Sequence, residues 1–235
     1  MRRKKTEAQL LEERTRRQDA QQREKVNMLN NWLPRTKTGK LVKDGKLTSY
    51  DQIIAQNLRV MEPEIVDVLI PDLQEKTIEV NKTTRVTRSG RNFRFRVGVL
   101  VGDGHSLIGL GIAKDKEKWP AVRKAVKQAK LNLVSVRQGC GSWECICGLA
   151  HSIPFTVEGK SASVRVKLMP APRGTGLVVG DNIKDVFKFV GIDDVWSRSS
   201  GATNTKLNFV RATIRALTKT TKMKISNEIS KKLVK

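Results

Sequence analysis

The chain has 235 residues and a formal net charge of +23, because 46 lysines and arginines stand against 23 aspartates and glutamates. So large a positive charge repels itself unless a polyanion neutralises it, which predicts nucleic acid as the partner and an anionic membrane surface as the alternative. No apolar run approaches the roughly 20 residues of a transmembrane helix, and the N-terminus lacks the apolar segment of a secretory signal. We therefore expect an intracellular protein with one or two domains.

Residues 1–76 are predicted to form an N-terminal extension ahead of the compact domains. Residues 1–31 are polar and dense in charge, so we expect a helix or a flexible arm that is ordered only against a partner. The basic, glycine-containing stretch 36–46 predicts a loop, and a short helix is expected over 50–57. The segment 64–70 is apolar and acidic where most of the chain is basic, which favours packing against protein rather than RNA.

Residues 77–138 predict a first domain with the order β-β-β-α. The expected strands span 77–88, 92–101 and 106–113. In the second strand apolar side chains from Phe93 to Val101 alternate with Arg94 and Arg96, which is the period of a half-buried strand. A helix is expected over 116–136, and its inward stripe is predicted to consist of Trp119, Val122, Val126, Ala129 and Leu133. One helix on an antiparallel sheet is an α+β arrangement.

Cations concentrate on two parts of this domain. Several arginines flank Ser89-Gly90, which is typical of a turn, and guanidinium groups offer planar donors that suit phosphate oxygens. The pattern fits a nucleic-acid contact, and a solvated basic hairpin is the alternative. The candidate RNA-binding residues are Arg85, Arg88, Arg91, Arg94 and Arg96 around the turn, and Lys116, Arg123 and Lys127 on the helix.

A cysteine-rich linker, residues 139–151, follows. Its four candidate ligands, the Cys3His cluster, are Cys140, Cys145, Cys147 and His151. Three thiolates and an imidazole suit a structural Zn²⁺ ion; three reduced thiols and a core histidine are the alternative. Glu144 is the only acid inside the cysteine loop, so a zinc-dependent nuclease is disfavoured. Zinc here would pin a connection between domains where no large core is expected.

Residues 152–225 predict a second α+β domain, a sandwich with the order β-β-α-β-α. Its strands are expected over 153–158, 162–168 and 194–199, with a turn at Gly159-Lys160. Asp181 is predicted to cap one helix, and Gly191 is predicted to end it. The loop Arg173-Gly174-Thr175-Gly176 is either a phosphate site built from backbone N–H groups, with Arg173 as a candidate RNA-binding residue, or an ordinary turn. A basic tail, residues 226–235, completes the chain.

Four segments together carry a resemblance to a known family. They are Glu62-Pro-Glu-Ile-Val-Asp-Val-Leu, Arg88-Ser-Gly-Arg-Asn-Phe-Arg-Phe-Arg, Gly139-Cys-Gly-Ser-Trp-Glu-Cys with His151-Ser-Ile-Pro-Phe, and Leu168-Met-Pro-Ala-Pro-Arg-Gly-Thr-Gly with Gly191-Ile-Asp-Asp-Val-Trp. Over about residues 33–225 the chain resembles the fifth protein of the small ribosomal subunit in its archaeal and eukaryotic form. The cysteine-bearing segment is most similar to the archaeal branch.

The resemblance implies a first domain similar to a double-stranded-RNA-binding fold and a structural, non-enzymatic role in the cytoplasmic small ribosomal subunit. It implies binding to small-subunit ribosomal RNA near the neck and the channel by which mRNA enters, contact with mRNA and with the fourth small-subunit protein, and an influence on decoding accuracy. The hairpin loop, residues 85–94, is the part implied to reach ribosomal RNA, through Arg88, Arg91 and Arg94. A free-standing double-stranded-RNA-binding protein with a structural zinc site is the alternative.

Overall fold

The computed structural model describes residues 32–145, 147 and 149–222. The chain divides into two compact units between Pro71 and Asp72. The predicted arm (1–31) and the predicted basic tail (226–235) lie outside the described residues. Within the described ranges, no helix combines the length and the apolar character that a bilayer crossing requires.

The first unit is built from three short helices around a small core. The helices are α1 (Lys37–Lys43), α2 (Tyr50–Ala55) and α3 (Pro63–Leu69). Their shared buried residues are Val42, Leu47, Ile53 and Ile65. The helix expected over 50–57 is confirmed, whereas the loop expected over 36–46 is wrong. There the Thr36 hydroxyl accepts a hydrogen bond from the Gly39 N–H at 3.1 Å and caps α1.

One carboxylate ties the start of this unit to the start of α3. Glu62 accepts hydrogen bonds from the Trp32 indole N–H at 2.9 Å, from the Arg35 backbone N–H at 2.9 Å and from the Thr36 backbone N–H at 2.7 Å. Burial acts to raise the pKa of Glu62, but these hydrogen bonds bring it below its ordinary value on balance. The carboxylate therefore stabilises the unit above the unfolded-state pKa, and this contribution is lost as the pH falls through the folded-state pKa.

The second unit begins with an antiparallel sheet whose strands lie in chain order. Its elements are β1 (Gln74–Thr87), β2 (Gly90–Gly102), β3 (Leu107–Asp115), α4 (Lys118–Leu131) and β4 (Leu133–Ser135). The three expected strands and the helix are confirmed. The helix is shorter than the predicted 116–136, because residues 133–135 leave it and pair with β3 as an edge strand.

The inward face of α4 is made of small residues. Ala121, Ala125 and Ala129, each four residues apart, pack against the valines of β2. A Cβ atom at Gly111 of β3 would lie 1.9 Å from the Ala125 carbonyl oxygen, so only glycine allows the helix backbone to lie this close. The predicted inward position of Trp119 is wrong, because this side chain is 73% exposed.

The remainder of the second unit forms a second sheet and two long helices. Its elements are β5 (Val157–Ser161), β6 (Val164–Pro170), β7 (Leu177–Val178), α5 (Asp181–Val190), β8 (Val195–Ser200) and α6 (Lys206–Thr221). The strand order is β5-β6-β8-β7, and β7 runs parallel to β8. The predicted α+β class is confirmed, with short β4 and β7 as additions. The predicted cap at Asp181 is wrong, because Gly180 is the N-cap residue and Asp181 is the first residue of α5. Gly191 ends α5 in the left-handed conformation, as expected.

The turn predicted at Gly159-Lys160 is wrong. Gly159 lies inside β5, where an added Cβ would be 2.1 Å from the Ala212 carbonyl oxygen of α6. The chain reverses instead at Ala162, which takes a positive φ of 53° between β5 and β6. Gly159 is therefore a close-packing residue rather than a turn residue.

The two sheets share one hydrophobic core. Leu100 of β2 and Ile108 of β3 belong to the same buried cluster as Phe187 of α5 and Val210 of α6. The layers therefore run α4, first sheet, α5 with α6, second sheet. The first half of this unit is the first sheet with α4, and the second half is the second sheet with α5 and α6. The expectation that no large core joins these two halves is wrong, because α5 and α6 cover the face of the first sheet that α4 leaves open.

Candidate nucleic-acid interface and metal centre

Strands β1 and β2 continue past the end of β3 as a two-stranded ribbon, residues 83–94. The last residue of β3 pairs with Phe95, and beyond that point β1 and β2 pair only with each other until the turn at Arg88-Ser89. Gly90 closes the turn with φ 120°, and the Thr87 hydroxyl donates a hydrogen bond to the Gly90 carbonyl at 2.9 Å. The ribbon thus presents its loop away from the sheet on a well-formed hairpin.

The register divides the predicted arginines between the two faces of the ribbon. Arg85 is opposite Asn92 and Arg94 is opposite Thr83, so these two arginines share one face with Arg96 further along β2. Arg91 is opposite Val86 and lies on the other face, while Arg88 is at the tip. All of them are exposed except Arg96, which is half-buried. The hairpin therefore offers guanidinium groups in two opposite directions.

The face that carries Arg91 also carries exposed apolar side chains. Val86 is 72% exposed and Phe93 is 47% exposed, although the alternation predicted Phe93 as a core residue. The Lys82 ammonium lies 3.9 Å from the centre of the Phe93 ring. An accessible ring beside cations is the composition of surfaces on which unpaired bases stack.

A second basic surface lies on the outer side of α4. Trp119, Arg123 and Lys127 follow at four-residue steps and share one exposed face, and the exposed Lys116 lies just before the helix. The helix contains no acidic residue. Sequence reasoning identified its cations but missed Trp119, which hydrophobic periodicity assigned to the core.

Arg173 belongs neither to the hairpin nor to α4. It is exposed in the loop between β6 and β7, beside the Cys3His cluster. The predicted RNA-binding residues therefore lie on three different elements of the second unit, namely the hairpin, α4 with the residue before it, and the loop between β6 and β7.

The four ligand atoms of the Cys3His cluster converge. They all lie within 4.8 Å of one another, and the Cys145 Sγ atom is 3.6 Å from the His151 Nε2 atom. Backbone pairing holds the segment closed, because Gly139 and Ser152 exchange two hydrogen bonds of 2.9 Å. Ligands of a tetrahedral zinc ion lie about 3.8 Å apart at a Zn–S distance of about 2.3 Å. The distances between the four ligand atoms thus exceed those expected around a bound zinc ion by at most about one ångström.

A buried carboxylate orients the histidine. Asp194 is 4% exposed, and its Oδ2 atom accepts a hydrogen bond from the His151 Nδ1 atom at 2.8 Å. This contact assigns the proton to Nδ1 and leaves the Nε2 lone pair directed at the thiols. Sequence reasoning missed Asp194 as a site residue, although it lies in the segment from Gly191 to Trp196 that contributes to the family resemblance. No local spacing relates it to a histidine 43 positions earlier in the chain.

The thiols are electrostatically unequal. Burial and the neighbouring thiols raise the pKa of Cys140 to about 11, whereas the Arg173 backbone N–H and the Cys147 thiol lower the pKa of Cys145 to about 6. Three thiolates this close repel one another unless a cation compensates them. A soft divalent ion such as Zn²⁺ fits this set of three sulfurs and one imidazole nitrogen, whereas Ca²⁺ and Mg²⁺ require oxygen ligands.

Comparisons with known proteins agree on one family. The model of the ribosomal protein S5 N-terminal domain matches residues 73–137, and the model of the ribosomal protein S5 C-terminal domain matches residues 159–232. A small ribosomal subunit protein uS5 from Methanothermobacter thermautotrophicus is 50% identical over 205 residues, which cover 87% of this chain and 95% of the relative. Proteins of the same name from Ignicoccus hospitalis and Staphylothermus marinus are each 52% identical, over 81% and 83% of this chain and 90% and 91% of those relatives.

Proposed function

Because this chain belongs to the ribosomal protein S5 family, we propose that it is a structural constituent of the small ribosomal subunit and binds the RNA of that subunit. Its site is near the neck and the channel by which mRNA enters, beside the fourth small-subunit protein, and it supports translation and decoding accuracy in the cytoplasm. The observation that carries this proposal is the two-stranded ribbon with arginines on both faces and at its tip. The relatives are named as ribosomal proteins, in agreement with the prediction that the chain is not an enzyme.

The ribbon binds RNA mainly through its phosphates. On one face of the ribbon, phosphates are contacted by Arg85, Arg94 and Arg96. Arg91 contacts phosphates on the opposite face, and Arg88 contacts them at the tip. The major groove of A-form RNA is too deep and narrow for side chains to read, so specificity comes from the shape of the RNA and from stacking. Phe93 supplies an accessible ring for that purpose.

The outer face of α4 forms a second contact. Lys116, Arg123 and Lys127 bind phosphates, and Trp119 stacks on an unpaired base. This assignment accounts for a large exposed aromatic ring on a helix that has three further basic side chains and no acidic one. In the proposed division, this surface and the ribbon belong to domain 77–138, and Arg173 belongs to domain 152–225.

Sedimentation tests the assignment to the subunit. The full chain is added to archaeal small subunits depleted of their own copy, washed at high salt and sedimented through sucrose. Stable incorporation is expected, because an assembled protein is held by protein and RNA contacts together. Recovery only with isolated RNA duplexes, and loss from subunits on washing, would instead favour a free-standing double-stranded-RNA-binding protein.

We further propose that the Cys3His cluster holds a structural Zn²⁺ ion. The ion would cross-link residues 139–151 internally, and the contact of His151 with Asp194 joins this segment to the start of β8. The ion is not needed to connect the two sheets, because the shared core already does so. The chain is expected to purify with about one zinc per molecule, and Cys145→Ser is expected to lose it. Ser142→Ala is the matched control, because only the backbone of Ser142 contacts the cluster. A folded, reduced parent without metal would refute this assignment.

A further inference from the structure

The loop from Pro172 to Gly176 has little internal structure. Gly174 and Gly176 take positive φ angles of 89° and 72°, with no atom within 4 Å of where a Cβ would be. Thr175 donates to the Pro172 carbonyl through its backbone N–H at 3.3 Å and its hydroxyl at 2.8 Å, which closes a single turn. Because glycine is conformationally permissive and this loop has one internal turn, we expect its shape to depend on what holds it from outside.

Two such contacts come from Cys145 of the Cys3His cluster and from Asp194, the carboxylate that accepts from His151. The Arg173 backbone N–H lies near enough to the Cys145 thiol to be the main group that lowers its pKa. The Gly176 backbone N–H donates to the Asp194 Oδ1 atom at 2.7 Å, while the Oδ2 atom of the same carboxylate accepts from His151. One carboxylate therefore joins a candidate metal ligand to the loop, and a second candidate ligand contacts the loop directly.

We propose that metal binding at the Cys3His cluster sets the conformation of loop 172–176 and so presents Arg173 to RNA, with Asp194 as the positioning residue that connects the two. A bound ion fixes Cys145 and His151 in space, and through them it fixes both groups to which the loop donates. This inference rests on the proposed zinc site and on the proposed RNA contact of Arg173. It gives the zinc a role in recognition in addition to its role in folding.

The variant Asp194→Asn tests the connection from His151 through Asp194 to Gly176 while keeping a side chain of the same size. An asparagine side chain replaces one of the two carboxylate oxygens with an NH2 donor, so it cannot accept from His151 at the Oδ2 position and from Gly176 at the Oδ1 position together. Asp193→Asn is the matched control, because this neighbouring side chain is exposed. Loss of an outer-sphere partner lowers metal affinity by roughly 10–100-fold, so zinc is supplied well above that weakened affinity.

Amide hydrogen exchange on the full chain, with zinc or with chelator, reads the loop without RNA. In the parent and in Asp193→Asn, zinc is expected to slow exchange at Arg173 and Gly176 by at least about tenfold, the size of one protein hydrogen bond to a charged group. In zinc-loaded Asp194→Asn, the slowing at Gly176 is expected to disappear. Equal zinc-dependent slowing in Asp194→Asn and the parent would overturn the role of Asp194. Zinc binding without any slowing in the parent would overturn the inference and leave the zinc site standing.

Binding to archaeal small-subunit ribosomal RNA completes the test. Chelation is expected to weaken binding by the parent, and to weaken binding by Arg173→Gln much less, because the side chain that zinc positions is absent. Equal zinc dependence in the two proteins would overturn the recognition step. A chain that binds no zinc fails the proposed metal site itself, which the metal content reports independently.

Discussion

Removing the charge from the tip of the ribbon tests its RNA contact most directly. The variant Arg88→Gln, Arg91→Gln, Arg94→Gln leaves Ser89-Gly90 and the backbone pairing in place. All three side chains are exposed, so the fold is expected to survive. The expected result is a weaker and less salt-dependent complex with ribosomal RNA.

The register gives the size of this change. Each phosphate contact contributes about 0.9 to the slope of log affinity against log salt. RNA on both sides of the ribbon would engage all three arginines, and their loss would flatten the slope by about 2.7. RNA on one face would engage Arg88 with either Arg91 or Arg94 alone, for a loss of about 1.8. The parent binds RNA more tightly than the variant at low salt. Between about 50 and 200 mM salt, this ratio of affinities would fall roughly 40-fold in the first case and roughly 12-fold in the second.

Filter binding of transcribed archaeal small-subunit ribosomal RNA over this salt range measures the slope, and circular dichroism checks the fold. The control variant Arg165→Gln, Lys167→Gln, Arg198→Gln removes the same charge from exposed positions on the second sheet. A slope that stays within about 0.5 of the parent's would refute the ribbon contact. If the slope changed equally in the control variant, the change would be due to net charge rather than to contacts made by the ribbon.

Two further predictions concern α4. Gly111→Ala is expected to destabilise the fold by about 3 kcal/mol, the upper end of typical overpacking, because the new Cβ meets the Ala125 backbone at 1.9 Å; thermal unfolding should fall by roughly 6–12 °C. Gly180→Ala, which meets only the edge of a ring at 3.1 Å, is the control, and an equal fall in both would contradict the close-approach argument. Trp119→Ala is expected to leave thermal unfolding unchanged but weaken RNA binding by roughly 5–150-fold, the worth of one stacked base, with Trp119→Phe close to the parent. Unaltered RNA binding in Trp119→Ala would assign the ring to another partner.

Local patterns predicted most elements because they are read within one strand or helix. The alternation after Phe93 located β2, and the spacing of Cys140, Cys145, Cys147 and His151 located a converging ligand set. The same patterns failed where a neighbour from elsewhere in the chain decides the outcome. Periodicity chose Trp119 for the inward face of α4, whereas the glycines of β3 select alanines there.

Residues brought together by the fold alone could not be found in this way. Asp194 contacts a histidine 43 positions away, and no sequence pattern around either residue predicts that contact. The alternation that located the arginines of the hairpin also left their division between faces undetermined, because the face of Arg85 depends on its register with β2. The sequence thus predicts which residues are candidates for an RNA or metal contact. The geometry of that contact depends on strand pairing and on residues that are distant in the chain.

The core shared by the two halves has a consequence for the order in which the chain acquires its structure during synthesis. Residues 74–135 emerge from the ribosome before the second sheet and contain every strand of the first sheet. Until α5 and α6 have also emerged, the sheet face with Leu100 and Ile108 has no cover and is exposed to water. We therefore expect the nascent first sheet to be prone to aggregation, and its burial to be completed only after α6 (Lys206–Thr221) has left the exit tunnel.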